Sequence, residues 1–193
     1  MARRSSSTGG PAGRRPADPR STPTPDDASP APSLAAATLP RVWQDVGYRP
    51  LADASRARAL FEFAAMPWPE PVTFAWGAWT AGAGGERLIG ALAAERHATT
   101  AMLFGPIIDT RESAADPLEV AGQLVAAAID HAAALGAATL YTRPQGLDRV
   151  WIRFGFIPVP EVALPPALAG RPGAGLYAWR GGSAQWSLRE AMG

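Results

Sequence analysis

The stretch DPLEVAGQLVAAAIDHAAALG, residues 116–136, is the part of the sequence that most strongly decides the fold. Asp116 is typical of a helix N-cap, Pro117 suits the first helical position, and Gly136 suits the position just past the end. Between them, apolar or small residues recur at the spacing of one helix face: Leu118, Gly122, Val125, Ile129, Ala132 and Leu135. The pattern therefore predicts an amphipathic helix. Its polar residues, predicted to point into solvent, are Glu119, Gln123, Asp130 and His131.

The segments on either side of this helix are predicted to be strands. TTAMLFGPIID, residues 99–109, is apolar on both faces, as expected of a central buried strand. Gly105-Pro106 interrupts it, and because proline removes a ladder donor we expect a bulge there or a parting from the neighbouring strand. ATLYTR, residues 138–143, is the next strand, and the helical crossover predicts that it runs parallel to 99–109.

Further strands and a helix precede this unit. RVWQDVGYRPL, residues 41–51, is predicted to be one strand running into a loop. A helix capped by Asp53 follows, with its apolar face formed by Ala57, Leu60, Phe61 and Ala64. VTFAWGAWT (72–80) and RLIGALAAERH (87–97) flank the glycine-rich AGAGGE, which predicts a hairpin, since no Lys-Ser/Thr of a phosphate loop follows. Short connections make the middle three strands an antiparallel meander.

The C-terminal part adds a short helix at QGLDRVWIRF (145–154) and two strands at GFIPV (155–159) and GLYAWR (175–180). Strands that alternate with helices on one mixed sheet indicate an α/β or α+β domain. Residues 1–40 are rich in Pro, Ser, Thr, Gly and Arg without aromatics, which predicts a disordered tail. The folded domain is therefore expected at 41–182, with a second tail at 183–193.

Composition excludes several classes of function. The chain has no cysteine, which rules out disulfides and zinc–thiolate sites and is compatible with a cytoplasmic protein. No apolar run approaches the ~20 residues that cross a bilayer, so no membrane partner is expected. The N-terminal 40 residues carry five Arg against three Asp with no aromatic between them, so no nucleic-acid partner is expected. Two histidines on different elements do not make a metal site.

The order of elements over about residues 41–180, together with GQLVAAAIDHAAALGAATLYTR and RVWIRFGFIPV, resembles the GNAT family of acetyl-CoA-dependent N-acetyltransferases. The resemblance implies a mixed, mostly antiparallel central sheet with helices on both faces. It implies transfer of an acetyl group from acetyl-CoA to a primary amine of a small molecule or protein. In this family acetyl-CoA lies where two neighbouring strands part, and its pyrophosphate rests on the N-terminus of the following helix. A homodimer is one assembly compatible with the family.

The resemblance also implies which residues meet the cofactor. Along the strand these are Pro106, Ile107, Ile108 and Asp109. Around the pyrophosphate they are Val120, Ala121, Gly122 and Gln123, where a helix N-terminus offers unpaired N–H groups to an anion. Gln145 stands where the family often has an asparagine that contacts the cofactor.

The sequence departs from the family pattern in three ways. Two of them, the acidic helix start and Trp151, favour an alternative, a GNAT-fold domain that has lost CoA chemistry and serves as a binding or scaffold module, whereas Gly105-Pro106 and the helix around Gly122 favour the enzyme. Of the family's pyrophosphate-loop pattern, aligned on residues 117–122, only Gly122 matches. The helix start is net negative, with Glu112, Asp116 and Glu119 against Arg111. Trp151 replaces the tyrosine that commonly protonates the leaving thiolate, and an indole N–H donates a hydrogen bond but does not titrate.

Candidates for acid–base chemistry follow from the strand ends. Glu95, acting through water, is the predicted base that removes a proton from the amine; the competing interpretation is a solvated charge pair with Arg96. His97 is predicted to be a turn residue rather than a base. Tyr141 and Tyr177 are the candidates to replace the missing acid, with packing as their competing role.

Overall fold

The computed structural model describes residues 32–82, 84–111 and 113–181. Within them the strands are β1 (Arg41–Trp43), β2 (Val46–Pro50), β3 (Phe74–Gly82), β4 (Gly85–His97), β5 (Thr100–Ile108), β6 (Thr139–Thr142), β7 (Ile157–Val159) and β8 (Leu176–Arg180). The α-helices are α1 (Leu34–Ala37), α2 (Arg58–Phe63), α3 (Pro117–Ala134) and α4 (Asp148–Arg153). Short 3-10 turns lie at Ala54–Ala57, Glu161–Ala163 and Pro166–Leu168.

One eight-stranded sheet has the order β1-β2-β3-β4-β5-β6-β8-β7. Neighbours are antiparallel except β5 and β6, which are parallel and joined by α3. The predicted mixed, mostly antiparallel sheet and its parallel crossover are confirmed. β8 inserts between β6 and β7, so the strand that follows α4 becomes an edge.

The single strand predicted at 41–51 is wrong, because the chain turns within it. β1 and β2 pair as a hairpin in which Trp43 lies opposite Val46. Gln44 and Asp45 form the turn with φ of 47° and 62°. Two positive φ angles match the twist of a tight hairpin, and aspartate tolerates that conformation better than most residues.

α3 begins and ends where its capping residues predict. The Asp116 carboxylate accepts the N–H of Leu118 at 2.9 Å, and Gly136, with φ of 84°, lies just past the helix end. Two predictions about its faces are wrong. Leu118 is 52% exposed, because it lies in the first turn, where the helix projects past the core. His131 is buried at 8% exposure, because the large aromatic side chains of β3 extend under that turn of the helix.

The polar group of His131 is satisfied inside the core. Trp76 donates its indole N–H to His131 Nδ1 at 3.2 Å. Phe74 stacks on the imidazole ring with centroids 4.1 Å apart. Burial lowers the pKa of His131, so the neutral imidazole that accepts this hydrogen bond is the favoured form.

The sheet carries a hydrophobic core on each face. α3 and α4 cover one face, where Trp76, Leu124 and Trp151 are buried. α2 covers the other, where Leu60 and Phe61 pack beneath it. Ala64, predicted on the buried face of that helix, is exposed because α2 ends at Phe63. Helices on both faces are as the family resemblance implies.

A short helix, α1, lies within the segment predicted to be an N-terminal tail. α1 packs against α3, and its Ala37 is only 1% exposed. The rest of the predicted N-terminal tail, residues 1–31, and the predicted C-terminal tail, 183–193, lie outside the described residues. Among the described helices, none combines the length and the apolar character that crossing a bilayer requires.

The sequence RFGF, residues 153–156, ends α4 and leads the chain back into the sheet. Gly155 has φ of +83°, a conformation that glycine adopts without steric cost. The N–H of Phe156 then bonds to the carbonyl of Trp151 at 3.1 Å, which closes the helix end. The rings of Trp151 and Phe156 meet edge to face, 4.8 Å apart, in the core.

Candidate functional site

The strands β5 and β6 part after their fourth residue pair. Their parallel pairing runs from Thr100 opposite Thr139 to Leu103 opposite Thr142. β6 ends there, whereas β5 continues to Ile108 with β4 as its partner. Within the part of the chain that the structure describes, the edge of β5 after Leu103 therefore faces no strand on the β6 side, as predicted for this segment.

A bulge lies at the same level of β5. The register between β4 and β5 shifts between Ala91 and Ala93. Gly105 has φ of +97°, and a Cβ placed there would lie 3.0 Å from the carbonyl oxygen of Ala91. Only glycine fits this backbone without strain, so the predicted bulge at Gly105-Pro106 is confirmed and has a steric cause.

A small cleft opens on the face opposite α3, where the strands part. Its volume is ≈ 10 Å³, about one water molecule. The residues that line it come from four segments of the chain and are mainly apolar: Met66, Pro67, Met102, Leu103, Phe104, Arg143, Gln145 and Pro172. The cleft therefore needs side-chain or loop movement before it admits a larger group.

The strand residues assigned to the cofactor follow this parting. Pro106 and Ile107 are buried and Ile108 is half-buried. Asp109 is held at the strand end, where its carboxylate accepts from Arg111 Nε at 2.8 Å and from Arg87 Nη2 at 3.3 Å. The hydrogen bonds from Arg111 lower the pKa of Asp109 to about 2. Asp109 is thus an ionised anchor for the strand end.

The start of α3 lies beside the parted strands, and some of its N–H and charged groups already have partners within the protein. Val120, Ala121 and Gly122 are buried and Gln123 is half-buried. A Cβ at Gly122 would be in ordinary van der Waals contact with the Phe154 ring of the core, at 3.9 Å. The cap by Asp116 already uses the Leu118 N–H. Arg153 reaches this end of the helix, where its Nη1 lies 3.6 Å from Glu119 Oε1.

Glu95 is the centre of a buried ion cluster. It is 0% exposed and accepts from Arg171 Nε at 2.7 Å and from Arg171 Nη2. His97 Nε2 lies 2.7 Å from Glu95 Oε1. The competing interpretation of a solvated pair with Arg96 is wrong, because alternation along β4 sends Arg96 to the opposite face. The role of Glu95 as a base stays a prediction.

Two effects oppose each other on this carboxyl group. Burial raises the pKa of Glu95, but the hydrogen bonds from Arg171 and His97 outweigh it, so the pKa lies below its ordinary value. Glu95 is therefore ionised in the folded protein, and both of its oxygens are engaged.

The segment of residues 160–175, named here the roof segment, is fastened over this face of the sheet. Arg171 ties it to Glu95 of β4. Glu161 accepts from Arg143 in a bidentate pair, with both contacts at 2.6 Å. The hydroxyl of Tyr141 donates to the carbonyl of Ala163 at 2.8 Å. Pro172, next to Arg171, lines the cleft, so the roof segment forms one of its walls.

Sequence reasoning missed Arg143 and Arg171. Arg171 lies 76 residues from Glu95, in a Pro/Gly-rich stretch without periodicity. The one available signal was that no acid lies near Arg171 in the sequence, which leaves its partner open. A long-range pair of this kind is visible only after the roof segment is placed.

The residues considered for the catalytic acid, Trp151, Tyr141 and Tyr177, differ in burial and in hydrogen bonding. Trp151 is 0% exposed, and its indole N–H has no hydrogen-bond partner among the described residues. Tyr141 already donates its hydroxyl to the roof segment. Tyr177 is half-buried on β8, opposite Thr142. Gln145 is exposed and lines the cleft, and its contact with a cofactor stays a prediction. Across the described residues, no cluster of three His, Asp or Glu is arranged to hold a metal ion.

No family model matches the sequence, and no curated protein is a detectable relative of it. Solved structures do resemble the fold. N-acetylglutamate synthase from Neisseria gonorrhoeae, in complex with coenzyme A and L-arginine, matches with a TM-score of 0.56 and 17% identity over 72% of this chain and 34% of its own. This chain thus corresponds to about a third of the synthase.

Two smaller acetyltransferases align over nearly their whole length. The ribosomal-protein-S18-alanine N-acetyltransferase from Escherichia coli has a TM-score of 0.50 and 17% identity, over 74% of this chain and 98% of its own. A GNAT-family acetyltransferase from Staphylococcus aureus has a TM-score of 0.51 and 12% identity, over 69% and 98%. The chain has the GNAT fold, and its structural neighbours are GNAT acetyltransferases.

Proposed function

We propose that this chain, which has the fold of the GNAT acetyltransferases, transfers an acetyl group from acetyl-CoA to a primary amine of a small molecule or protein. The observation that carries the proposal is the parting of β5 and β6 after Leu103 and Thr142. The parting leaves a free strand edge from Phe104 to Ile108 next to the start of α3.

The free edge is the part of the site that fits acetyl-CoA. Main-chain N–H and C=O groups along 104–108 are available to the amide groups of the pantetheine arm. The main chain near Ile107 and Ile108 holds the acetyl carbonyl, since an N–H directed at that oxygen stabilises the charge that develops on it.

The start of α3 is where the family resemblance puts the pyrophosphate, although Gly122, the residue that matches the family's loop, is buried there. Asp116 and Glu119 oppose an anion, and Arg153 is paired with Glu119. Movement of Arg153 from Glu119 toward the phosphates is the simplest rearrangement that supplies a positive charge there.

The reaction itself needs one proton removed and one thiolate released. The ammonium form of the acceptor loses a proton, its nitrogen attacks the acetyl carbonyl, and the carbon–sulfur bond breaks as CoA leaves. Glu95 is the acid–base residue proposed to serve proton removal. Trp151 does not titrate, so it does not supply a proton to the departing thiolate; water does so.

A second candidate function is a GNAT-fold binding or scaffold module without CoA chemistry. The observations that favour it are the acidic start of α3 and the small volume of the cleft, ≈ 10 Å³. We rank it second because a module of this kind has no need for the parted strands.

Release of CoA thiol, measured with a thiol reagent, tests the proposal. The purified chain is incubated with acetyl-CoA and, separately, phenethylamine, spermidine, L-glutamate and a peptide that begins with alanine. Amine-dependent thiol release above the amine-free control, with the acetylated product seen by mass spectrometry, supports acetyl transfer. Absence of release with every amine, together with absence of acetyl-CoA binding, supports the scaffold module.

A further inference from the structure

We propose that the acceptor of the acetyl group is an amine that carries a carboxylate at its far end, and that Arg143 binds this carboxylate in the place that Glu161 now occupies. The inference rests on the proposed acetyl transfer and names the class of its second substrate. Arg143 directly follows β6, whose last residue, Thr142, is opposite Leu103 where the strands part.

Arg143 gives the cleft its charge. Of the described residues that line the cleft, Arg143 alone is charged, and the side chains of the others are apolar except that of Gln145. The side chain of Arg143 is only 9% exposed. Because a guanidinium keeps its charge at every physiological pH, a cation held in a small and mainly apolar space requires an anionic partner. The cleft therefore favours a ligand with an apolar chain and one negative group.

The ion pair with Glu161 identifies the anion that fits Arg143. Nη1 and Nη2 of Arg143 donate to the two oxygens of the Glu161 carboxylate, each at 2.6 Å. This is the bidentate geometry in which a guanidinium binds a carboxylate. A ligand carboxylate makes the same two hydrogen bonds when Glu161 moves aside.

Glu161 is placed to be exchanged for such a ligand. Its side chain is 65% exposed, so water solvates the carboxylate as it leaves Arg143. Arg143 remains paired throughout the exchange, so no buried charge is left without a partner. The roof segment keeps its other contacts, from Tyr141 to Ala163 and from Arg171 to Glu95, so loss of one ion pair does not detach it.

Arg143 also has a hydrogen-bond donor that the folded chain leaves unused. Its buried Nε has no hydrogen-bond partner among the described residues. The roof segment packs closely on the stem of the same side chain, since a Cβ at Gly173 would lie 2.7 Å from the Cβ of Arg143. The guanidinium is thus held in position and retains an N–H for a ligand, which a buried donor otherwise satisfies within the protein.

The position of the cleft determines the length of the acceptor. The cleft reaches β5 at Phe104, and the main chain proposed to hold the acetyl carbonyl begins at Ile107. Three residues of a strand span about 10 Å. An α-amino acid, with a single carbon between its amine and its carboxylate, is too short for this distance. A chain of several methylene groups, as in ε-aminocaproate, extends from Arg143 along the strand toward the acetyl carbon.

The kinetic test compares ε-aminocaproate with hexylamine, the matched amine that lacks the carboxylate, and with glycine as the short acceptor. We expect kcat/KM for ε-aminocaproate to exceed that for hexylamine by about 10- to 100-fold, the effect of a charge-assisted bidentate pair. Arg143→Gln should abolish this preference, and Glu161→Gln should lower KM for ε-aminocaproate because the competing carboxylate is gone. Arg49→Gln is the matched control and should keep the preference, since Arg49 forms a similar two-bond pair with Glu86 on strands away from the cleft.

Binding of hexanoate without acetyl-CoA tests the carboxylate site apart from the reaction. Hexanoate should raise the Tm of the wild-type chain, raise that of Glu161→Gln by more, and leave that of Arg143→Gln unchanged. Each shift in Tm is measured against the same variant without hexanoate, so a lower stability of Arg143→Gln does not affect the comparison.

Equal use of ε-aminocaproate and hexylamine by the wild-type chain, or a preference that persists in Arg143→Gln, overturns the inference while acetyl transfer stands. Glycine used as well as ε-aminocaproate overturns the length of the acceptor. A shift with hexanoate that is no larger in Glu161→Gln than in the wild type overturns the exchange with Glu161. Absence of turnover with every amine, together with hexanoate binding that requires Arg143, removes the proposed acetyl transfer but leaves Arg143 as a carboxylate site.

Discussion

Thr142 donates its buried hydroxyl to the main-chain oxygen of Leu103, at 3.1 Å, across the last pair that joins β5 to β6. Beyond this pair the strands part. The contact therefore closes the ladder at the point where the candidate cleft begins, and the side chain of Thr142 is 0% exposed.

Thr142→Val tests the importance of this closing contact. Valine has nearly the shape of threonine but leaves the Leu103 carbonyl without its donor, so we expect the free energy of unfolding to fall by about 1–3 kcal/mol. Urea unfolding followed by fluorescence measures it. Thr139→Val, at the half-buried start of β6, is the matched control and should change it by less than about 0.5 kcal/mol. Equal effects of the two variants would contradict this role of Thr142.

Glycine-to-alanine changes in the β5 bulge and in α3 should have opposite effects on stability. Gly105→Ala places a Cβ 3.0 Å from the Ala91 carbonyl on a backbone with φ of +97°, and should cost about 1–3 kcal/mol. Gly122→Ala meets only the Phe154 ring at 3.9 Å, inside a helix, and should stabilise by about 0.5–1 kcal/mol. Thermal unfolding distinguishes them. A tolerated Gly105→Ala would show that the bulge does not require glycine.

His131 predicts a loss of stability in mild acid. Burial lowers the pKa of His131 in the folded protein. Below the unfolded-state pKa, the unfolded chain therefore binds a proton at this histidine more readily than the folded chain does. Stability should therefore fall as the pH drops below about 6.5. His131→Asn retains an acceptor for the Trp76 N–H without titrating in this range, and its stability should fall less between pH 7 and 5. Parallel pH dependence of the two proteins would contradict the buried neutral histidine.

The ion pair between Glu95 and Arg171 should contribute to stability by holding the roof segment on the sheet. Arg171→Ala leaves a buried carboxylate without its main partner and should cost on the order of 2–3 kcal/mol, less than for a fully buried pair, because Arg171 is 26% exposed. Glu95→Gln in the same chain should recover part of that loss, which a double-mutant cycle measures.

The pH dependence of the same pair has a definite sign. The folded-state pKa of Glu95 is lowered, so its contribution is present above the unfolded-state pKa and is lost as the pH falls through the folded value. The difference in stability between wild type and Arg171→Ala should therefore narrow on acidification below about pH 4.3. A difference that stays constant down to pH 2 would show that the ion pair contributes nothing.

Local signals in the sequence predicted the framework of the fold. Asp116, Pro117 and Gly136 mark the ends of α3 because capping depends on neighbouring residues alone. Gly105-Pro106 predicted the bulge in β5 for the same reason: backbone geometry is a local property. The crossover through α3 then determined which two strands run parallel.

Local sequence patterns did not predict the partners of the buried polar and charged residues. His131 looked solvent-exposed because its helix spacing matches polar residues, and the aromatic partners that bury it belong to β3. Glu95 looked like a strand-end charge, whereas Arg171 reaches it from 76 residues away. Such contacts depend on how the roof segment folds over the sheet, which no periodicity in the sequence records.

Calorimetric titration of the chain with acetyl-CoA tests most directly whether the parted strands of this GNAT-fold chain hold acetyl-CoA. We expect one site per chain with Kd below about 100 μM, which corresponds to roughly −5.5 kcal/mol. No detectable binding at millimolar acetyl-CoA would contradict acetyl-CoA binding by the parted strands and leave the fold as a binding or scaffold module.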